Sequence, residues 1–135
     1  MSRYVLGIDQ STQGTKALLF DEEGSLVCRG DLPHKQDIDE KGWVEHDPEE
    51  IYANTLAVVK NLVEKAGIDK NEIAVLGISN QRETAMVWDR ASGKPVYNAV
   101  VWQCARGAKI CEKIEKDGHG EMIRSHTGLQ LSPYF

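Results

Sequence analysis

The sequence predicts an α/β fold whose mixed sheet begins as an antiparallel three-strand meander, continues with helix-linked strands, and is flanked by helices. Three observations carry that reading. Apolar runs at residues 4–9, 16–21 and 26–32 are joined by links short enough for hairpins. A helical period opens directly after Asp47-Pro48-Glu49-Glu50. Residues 73–79 are almost continuously apolar, as expected of a strand covered on both faces.

In order along the chain, residues 4–9 and 16–21 are rich in Val, Leu, Ile and Phe, with Thr12, Gln13 and Gly14 at the tip of the turn between them. Glu22-Glu23-Gly24-Ser25 is a turn signal, and residues 26–32 return beside the second strand. Residues 33–42 are polar and aperiodic, which predicts a loop. In the next segment Asp47 can cap a helix, Pro48 suits its first position, and Glu50 sits where a capping box needs it. Ile51, Thr55, Val58, Val59, Leu62, Val63 and Ala66 then follow at helical spacing, and Gly67 supplies a left-handed stop. After the buried strand, residues 85–88 read as a short strand, 91–95 as a turn and 96–102 as extended chain. Residues 104–116 read as a helix with Ala108, Cys111 and Ile114 on one face, closed by Gly118, and residues 121–125 as a further short helix. The last residues, Ser132-Pro133-Tyr134-Phe135, are apolar and aromatic without a polar tail, as in a chain cut within a larger protein.

At 135 residues the default is one domain, able to bury roughly two-thirds of its unfolded surface. With 41% hydrophobic and 27% charged residues, the composition is that of a globular protein. No apolar run approaches the roughly 20 residues of a membrane span, and Met1-Ser2-Arg3-Tyr4 leads into a strand and not a signal-like stretch. A cytoplasmic protein with no membrane partner is the expectation. The net charge of −5 argues against nucleic acid as a partner, while leaving nucleotide ligands open. Cys28, Cys104 and Cys111 lack metal or disulfide spacing and read as free thiols. His34, His46, His119 and His126 likewise show no metal spacing and read as surface or capping residues.

Two segments could carry chemistry. Asp9 ends an apolar strand, Ser11-Thr12-Gln13-Gly14 turns, and Lys16 leads into the next strand. Backbone N–H groups and hydroxyls in such a turn can approach a phosphate, Gly14 permits close backbone approach or positive φ, and Asp9 is suited to hold Mg²⁺ through water. A P-loop differs, since its GxxxxGK[ST] joins a strand to a helix. The pattern reads equally as a hairpin whose Ser and Thr satisfy their own backbone. The second segment is Asn80-Gln81-Arg82-Glu83-Thr84. Neighbours on a regular strand point to opposite faces, so Arg82 and Glu83 reach one ligand only if the backbone leaves strand geometry. A guanidinium fork beside a carboxylate matches a vicinal diol through charge-assisted hydrogen bonds worth about 1.5–3 kcal/mol each. A solvated turn with a surface ion pair, worth about 0–1 kcal/mol, fits the same spacing. Trp43 and Trp88 read as packing residues. Trp102 could stack on the carbon skeleton of a polyol, and Tyr134 offers a hydroxyl.

Taken together, Gly7-Ile8-Asp9-Gln10, Thr12, Gly42-Trp43-Val44-Glu45-His46-Asp47-Pro48, Asn80-Gln81-Arg82-Glu83-Thr84, Gly93-Lys94-Pro95, Tyr97-Asn98-Ala99, Val101-Trp102-Gln103-Cys104, Arg124-Ser125, Thr127-Gly128-Leu129 and Pro133-Tyr134-Phe135 resemble the FGGY family of carbohydrate kinases, most closely its glycerol-phosphorylating members. The resemblance runs from the first strand to the last residue. It implies a ribonuclease-H-like, actin-like ATPase lobe, with residues 1–135 as the amino-terminal part of the first kinase domain and the carboxy-terminal lobe lying outside the chain. It implies ATP and Mg²⁺ as cofactors, with Thr12, Gln13, Gly14 and Lys16 at the ATP phosphates and Asp9 near the metal. It further implies that Arg82, Glu83, Trp102 and Tyr134 bind glycerol or a similar polyol, and that the full-length enzyme is a homo-oligomer. The general base is expected beyond Phe135, so no catalytic residue is assigned here and the fragment alone is expected to be inactive. Two departures stand out. Lys16 replaces the family's usual arginine, as in pentulose kinases, and Ser11, Gln13 and Gly14 replace the more usual glycine, threonine and serine. A kinase for another polyol or a pentulose such as xylulose is therefore the alternative, with a non-enzymatic actin-like nucleotide-binding module as the reading of another class.

Overall fold

The computed structural model of the protein describes residues 3–135. Its chain divides into two compact units, one made of residues up to 35 with 47–81, the other of 36–46 with 82–135. A single domain is what the length suggests. Two units arise because residues 36–46, which include most of the stretch expected to be a loop, leave the first sheet and contribute strands to a second.

The first unit holds a four-stranded sheet. Strands β1 (Tyr4–Gln10), β2 (Gly14–Phe20) and β3 (Leu26–Pro33) form the expected antiparallel meander. Alternation sets their faces: Leu6, Ile8, Ala17 and Leu19 point into the core, and Asp9 and Lys16, which pair across the ladder, belong to the opposite face. Helix α1 (Pro48–Ala66) covers the inward face with Val58 and Leu62. Asp47 caps it by accepting the Glu49 N–H at 2.9 Å, and Gly67 ends it at φ 68°. Glu50 does not close a capping box as expected; its Oε1 accepts the Lys35 N–H at 3.1 Å, tying the end of β3 to the helix. The capping box forms instead between Asp69 and Glu72, in a short 3-10 turn before the next strand.

That strand is the parallel partner of β1. The sheet order of the unit is completed by the run expected to be buried on both faces, which is here an edge among the described residues. Leu76 and Ile78 are 51% and 64% exposed because α1 packs mainly on β2 and β3, and Val75, on the opposite face of the sheet, is 57% exposed. An apolar groove of about 530 Å³ is left along Leu56, Val59, Val63, Leu76 and Ile78.

The second unit is less regular. Strand β4 (Asp37–Ile38) lies in the stretch expected to loop and β5 (Val44–His46) just after it; the apolar edge strand above is β6 (Ile73–Ser79) in chain order, followed by β7 (Ala99–Val100). The sheet order is β4-β5-β7, all antiparallel, over a core of Val44, Val101 and Cys104. The expected strand at 85–88 is reduced to isolated bridges, Ala85 with Val100 and Trp88 with Pro95, around a turn at 89–94. Helix α2 (Ala108–Lys116) begins later than expected, after a 3-10 turn, since the Ala105 N–H is taken by the Gly42 carbonyl at 3.0 Å. Cys104 therefore lies outside it. Helix α3 (Gly120–Thr127) ends at Gly128. Of the histidines read as surface residues, His34 and His46 are buried; Trp88, read as packing, is 56% exposed.

Gly14 matters for a reason other than a ligand. A Cβ there would lie 2.5 Å from the Leu32 carbonyl oxygen of the neighbouring strand, so the β2–β3 pairing requires the missing side chain. Gly14→Ala should cost roughly 1–3 kcal/mol, read as a lower urea midpoint with an unchanged slope.

Candidate functional site

In the first unit, the turn between β1 and β2 is built as a braced hairpin. The Ser11 N–H and hydroxyl both donate to the Gly14 carbonyl, at 3.0 and 2.9 Å, so Ser11 serves its own backbone. Thr12 is half-buried and Gln13 exposed at the tip. Below them, Lys16 Nζ donates to Asp9 Oδ2 at 3.3 Å, with both side chains a little over two-fifths exposed (42% and 44%). At that exposure the pair adds about 0–1 kcal/mol to stability. Its interest is positional: a cation and a carboxylate stand side by side next to a hydroxyl-bearing turn.

Sequence reasoning missed what holds that turn. The Asn54 side-chain N–H donates to the Pro33 carbonyl at 3.0 Å, and the same nitrogen lies 3.2 Å from His34 Nδ1. On the other side of the ring, His34 Nε2 lies 3.0 Å from Thr15 Oγ1 and 3.4 Å from the Gln10 side-chain nitrogen. Thr15 lies 3.4 Å from Thr55 Oγ1, which donates to the Ile51 carbonyl at 2.8 Å. This chain links β3, β2 and α1 directly behind the hairpin. No periodicity marks His34, which follows directly after the end of β3.

In the second unit, Arg82 and Glu83 occupy a turn. Glu83 has φ 55°, and it is the one non-glycine with positive φ among the described residues. The backbone has left strand geometry there, as shared use of the two side chains requires. A non-glycine residue in that region stores about 1–3 kcal/mol of strain, a pattern concentrated at functional sites. Trp102 meets Tyr134 edge to face, centroids 5.0 Å apart, and Tyr134 meets Phe135 at 4.6 Å. Both Trp102 and Tyr134 are half-buried.

Beside them lies a charged arrangement that the sequence did not mark as a site. Arg106 donates to Glu45 Oε1, Asn98 donates to Oε2 at 3.1 Å, and the guanidinium stacks 4.5 Å above the Trp43 ring. The hydrogen bond from Arg106 holds the Glu45 carboxyl below its ordinary value of 4.5, against the effect of burial, with Asn98 and Tyr97 adding to the depression. The same bond raises Arg106.

For a hydrated divalent cation the donors fit in a limited way. Asp9 offers a hard, partly exposed carboxylate, and no group of three or more His, Cys, Asp or Glu suited to a metal exists among the described residues. One carboxylate acting through water, with phosphate oxygens completing the shell, is how Mg²⁺ is usually held.

Residues 4–135 match the FGGY family of carbohydrate kinases, N-terminal domain. The chain is 57% identical over 132 residues to glycerol kinase 1 of Thermotoga maritima, covering 98% of this chain and 27% of that protein. Among solved structures it is similar to the Plasmodium falciparum glycerol kinase with ADP, with TM-score 0.83 and 38% identity over 99% of this chain and 27% of the other. Gluconate kinase from Lactobacillus acidophilus gives TM-score 0.89 at 23% identity, over 99% and 26%, a likeness of fold alone. The chain thus spans about a quarter of the length of these relatives.

Two outcomes test the site's construction. Because the Glu45 carboxyl is depressed in the folded protein, its stabilising effect is complete above pH 4.5 and disappears as pH falls through the depressed value. Glu45→Gln should therefore melt below wild type at pH 7, with the gap closing in acid. Glu83→Asn, a residue that tolerates positive φ, should hold or raise the melting temperature, by up to about 1 kcal/mol of stability.

Proposed function

The chain belongs to the FGGY family of carbohydrate kinases, and from that premise we propose that it is the amino-terminal part of a longer enzyme that moves the γ-phosphoryl group of ATP to a terminal hydroxyl of glycerol, giving glycerol 3-phosphate. The observation that carries the reading is the left-handed backbone at Glu83, which turns the Arg82–Glu83 pair out of strand geometry with both side chains exposed and open to a ligand. In this reading the Arg82 guanidinium donates to glycerol oxygens and the Glu83 carboxylate accepts from glycerol hydroxyls. Trp102 and Tyr134 close on the carbon chain. Thr12, Gln13, Gly14 and Lys16 hold the ATP phosphates, and Asp9 holds Mg²⁺ through water. The metal, when bound, supplies charge neutralisation at the phosphates. The protein's part is to align the acceptor hydroxyl and keep it in place.

The open flank of β6 supports the assignment to a longer protein. Leu76 and Ile78 on one face and Val75 on the other leave apolar surface that further residues of the longer protein would cover. The general base and the adenine-binding lobe belong to those further residues, so the isolated chain should not turn over glycerol. The reading extends to a cytoplasmic homo-oligomer, as the family resemblance implies. No helix among the described residues is long and apolar enough to cross a membrane.

Lys16 favours a second reading, a pentulose kinase, because a point charge stands where a planar guanidinium fork is usual. A substrate panel on the full-length enzyme separates the two. Glycerol should be phosphorylated with a kcat/KM at least about tenfold above xylulose, a gap of about 1.4 kcal/mol; the reverse order would overturn the choice. Lys16→Ala should raise the KM for ATP about tenfold with little change in the KM for glycerol, the loss of one charge-assisted contact.

A further inference from the structure

The segment 42–48 takes no part in either phosphate or acceptor binding as read above, yet its Glu45 is placed with unusual economy. Its two carboxylate oxygens reach opposite ends of one stretch of chain. Oε2 accepts from Asn98 just before β7, and Oε1 accepts from Arg106 just after it. Trp102 is the middle of that stretch. The backbone between is fixed to the same strand and its flank, with the Val101 N–H donating to the Val44 carbonyl at 3.1 Å and the Ala105 N–H to the Gly42 carbonyl at 3.0 Å. Neither charge of the ion pair faces open water: the Glu45 and Arg106 side chains are 13% and 25% exposed, and Trp43 lies against the guanidinium.

The far side of the arrangement reaches Tyr134. Gly107, the neighbour of Arg106, lies so close to Pro133 that a Cβ on it would touch the proline Cβ at 3.4 Å and Cα at 3.5 Å. Pro133 leads directly into Tyr134, whose ring meets Trp102. A shift of Arg106 would therefore reach Trp102 through the chain and Tyr134 through its edge-to-face meeting with Trp102, with Pro133 packed too near Gly107 to leave a wide gap between them.

We infer that Glu45 and Arg106 are a positioning pair for the acceptor site: the carboxylate clamps both ends of the 98–106 segment and thereby sets the spacing of Trp102 and Tyr134 that fits a small polyol. The inference rests on the assignment of those two aromatics to the acceptor. A pair of partly desolvated charges is costly to build and costly to break from one side, and the clamp supplies a role for it beyond stability. Glu45 itself touches no substrate.

The test uses the full-length enzyme with glycerol and ATP as varied substrates. Glu45→Gln removes the charge at constant shape, and Arg106→Lys keeps the charge but loses the fork and the stacking on Trp43. Both should raise the KM for glycerol about ten- to a hundredfold, the scale of a small misplacement at an active site, while the KM for ATP stays within about twofold of wild type. Equal rises in both KM values, or an unchanged KM for glycerol, would overturn the inference. If Glu45→Gln does not accumulate as folded enzyme, Arg106→Lys decides alone. Trp102→Ala separates the two levels of argument: if it raises the glycerol KM and the clamp variants do not, the clamp fails and the acceptor assignment stands. If Trp102→Ala leaves that KM unchanged, the acceptor assignment fails and the clamp with it.

Discussion

The register of β1 against β2 is the constraint on which the first unit depends. With Ile8 opposite Ala17 and Leu6 opposite Leu19, alternation places these four apolar residues of the two strands in the core that α1 covers. The same pairing sets Asp9 against Lys16 at the mouth of the hairpin. A slip of one residue would bury the aspartate and the lysine and expose the core, a cost far above any gain at the turn. Core packing and the placing of the charged pair are therefore one event. The bonds from Asn54 through His34 to Thr15 and Thr55 lock that register from the side, where a hairpin with a polar tip is otherwise free to fray.

The second unit solves a different problem with little regular structure. Its strands are two or three residues long, and its apolar core is small. Order comes from polar and aromatic contacts made between short segments: the carboxylate of Glu45 with Asn98 and Arg106, the indole of Trp43 under the guanidinium, the edge-to-face meeting of Trp102 with Tyr134. Such contacts specify direction and distance more sharply than apolar burial does. The strained backbone at Glu83 belongs to the same economy, since it fixes where a side chain points and not how much surface is hidden.

The difference explains how far the sequence could be read. The meander, α1 with its Asp47 cap and Gly67 stop, and β6 were legible because period, cap residues and apolar runs report local structure. The Thr12–Gly14 turn and the departure from strand geometry at Arg82 and Glu83 were legible for the same reason. β4 and β5 were not, because strands that short carry no period and are paired only through β7, distant in sequence. His34 and His46 were misplaced because their burial is decided by partners elsewhere in the chain. Glu45 and Arg106 stand sixty-one residues apart, and no spacing rule connects them. The exposure of β6 is the reverse case: its apolar run predicts cover on both faces, whereas α1 packs mainly on β2 and β3 and leaves it open.

That uncovered strand has a bearing on how such a protein is made. Ile73-Ala74-Val75-Leu76-Gly77-Ile78-Ser79 carries no charge and no proline, and one of its edges offers a row of unused N–H and C=O groups, the composition of a segment that pairs readily with copies of itself. Synthesis proceeds at about 5–20 residues per second, so a newly made strand of this kind stays open for seconds while the residues after it are added. Contact between copies of the chain through that edge is the hazard such a strand brings to any preparation in which it stays open.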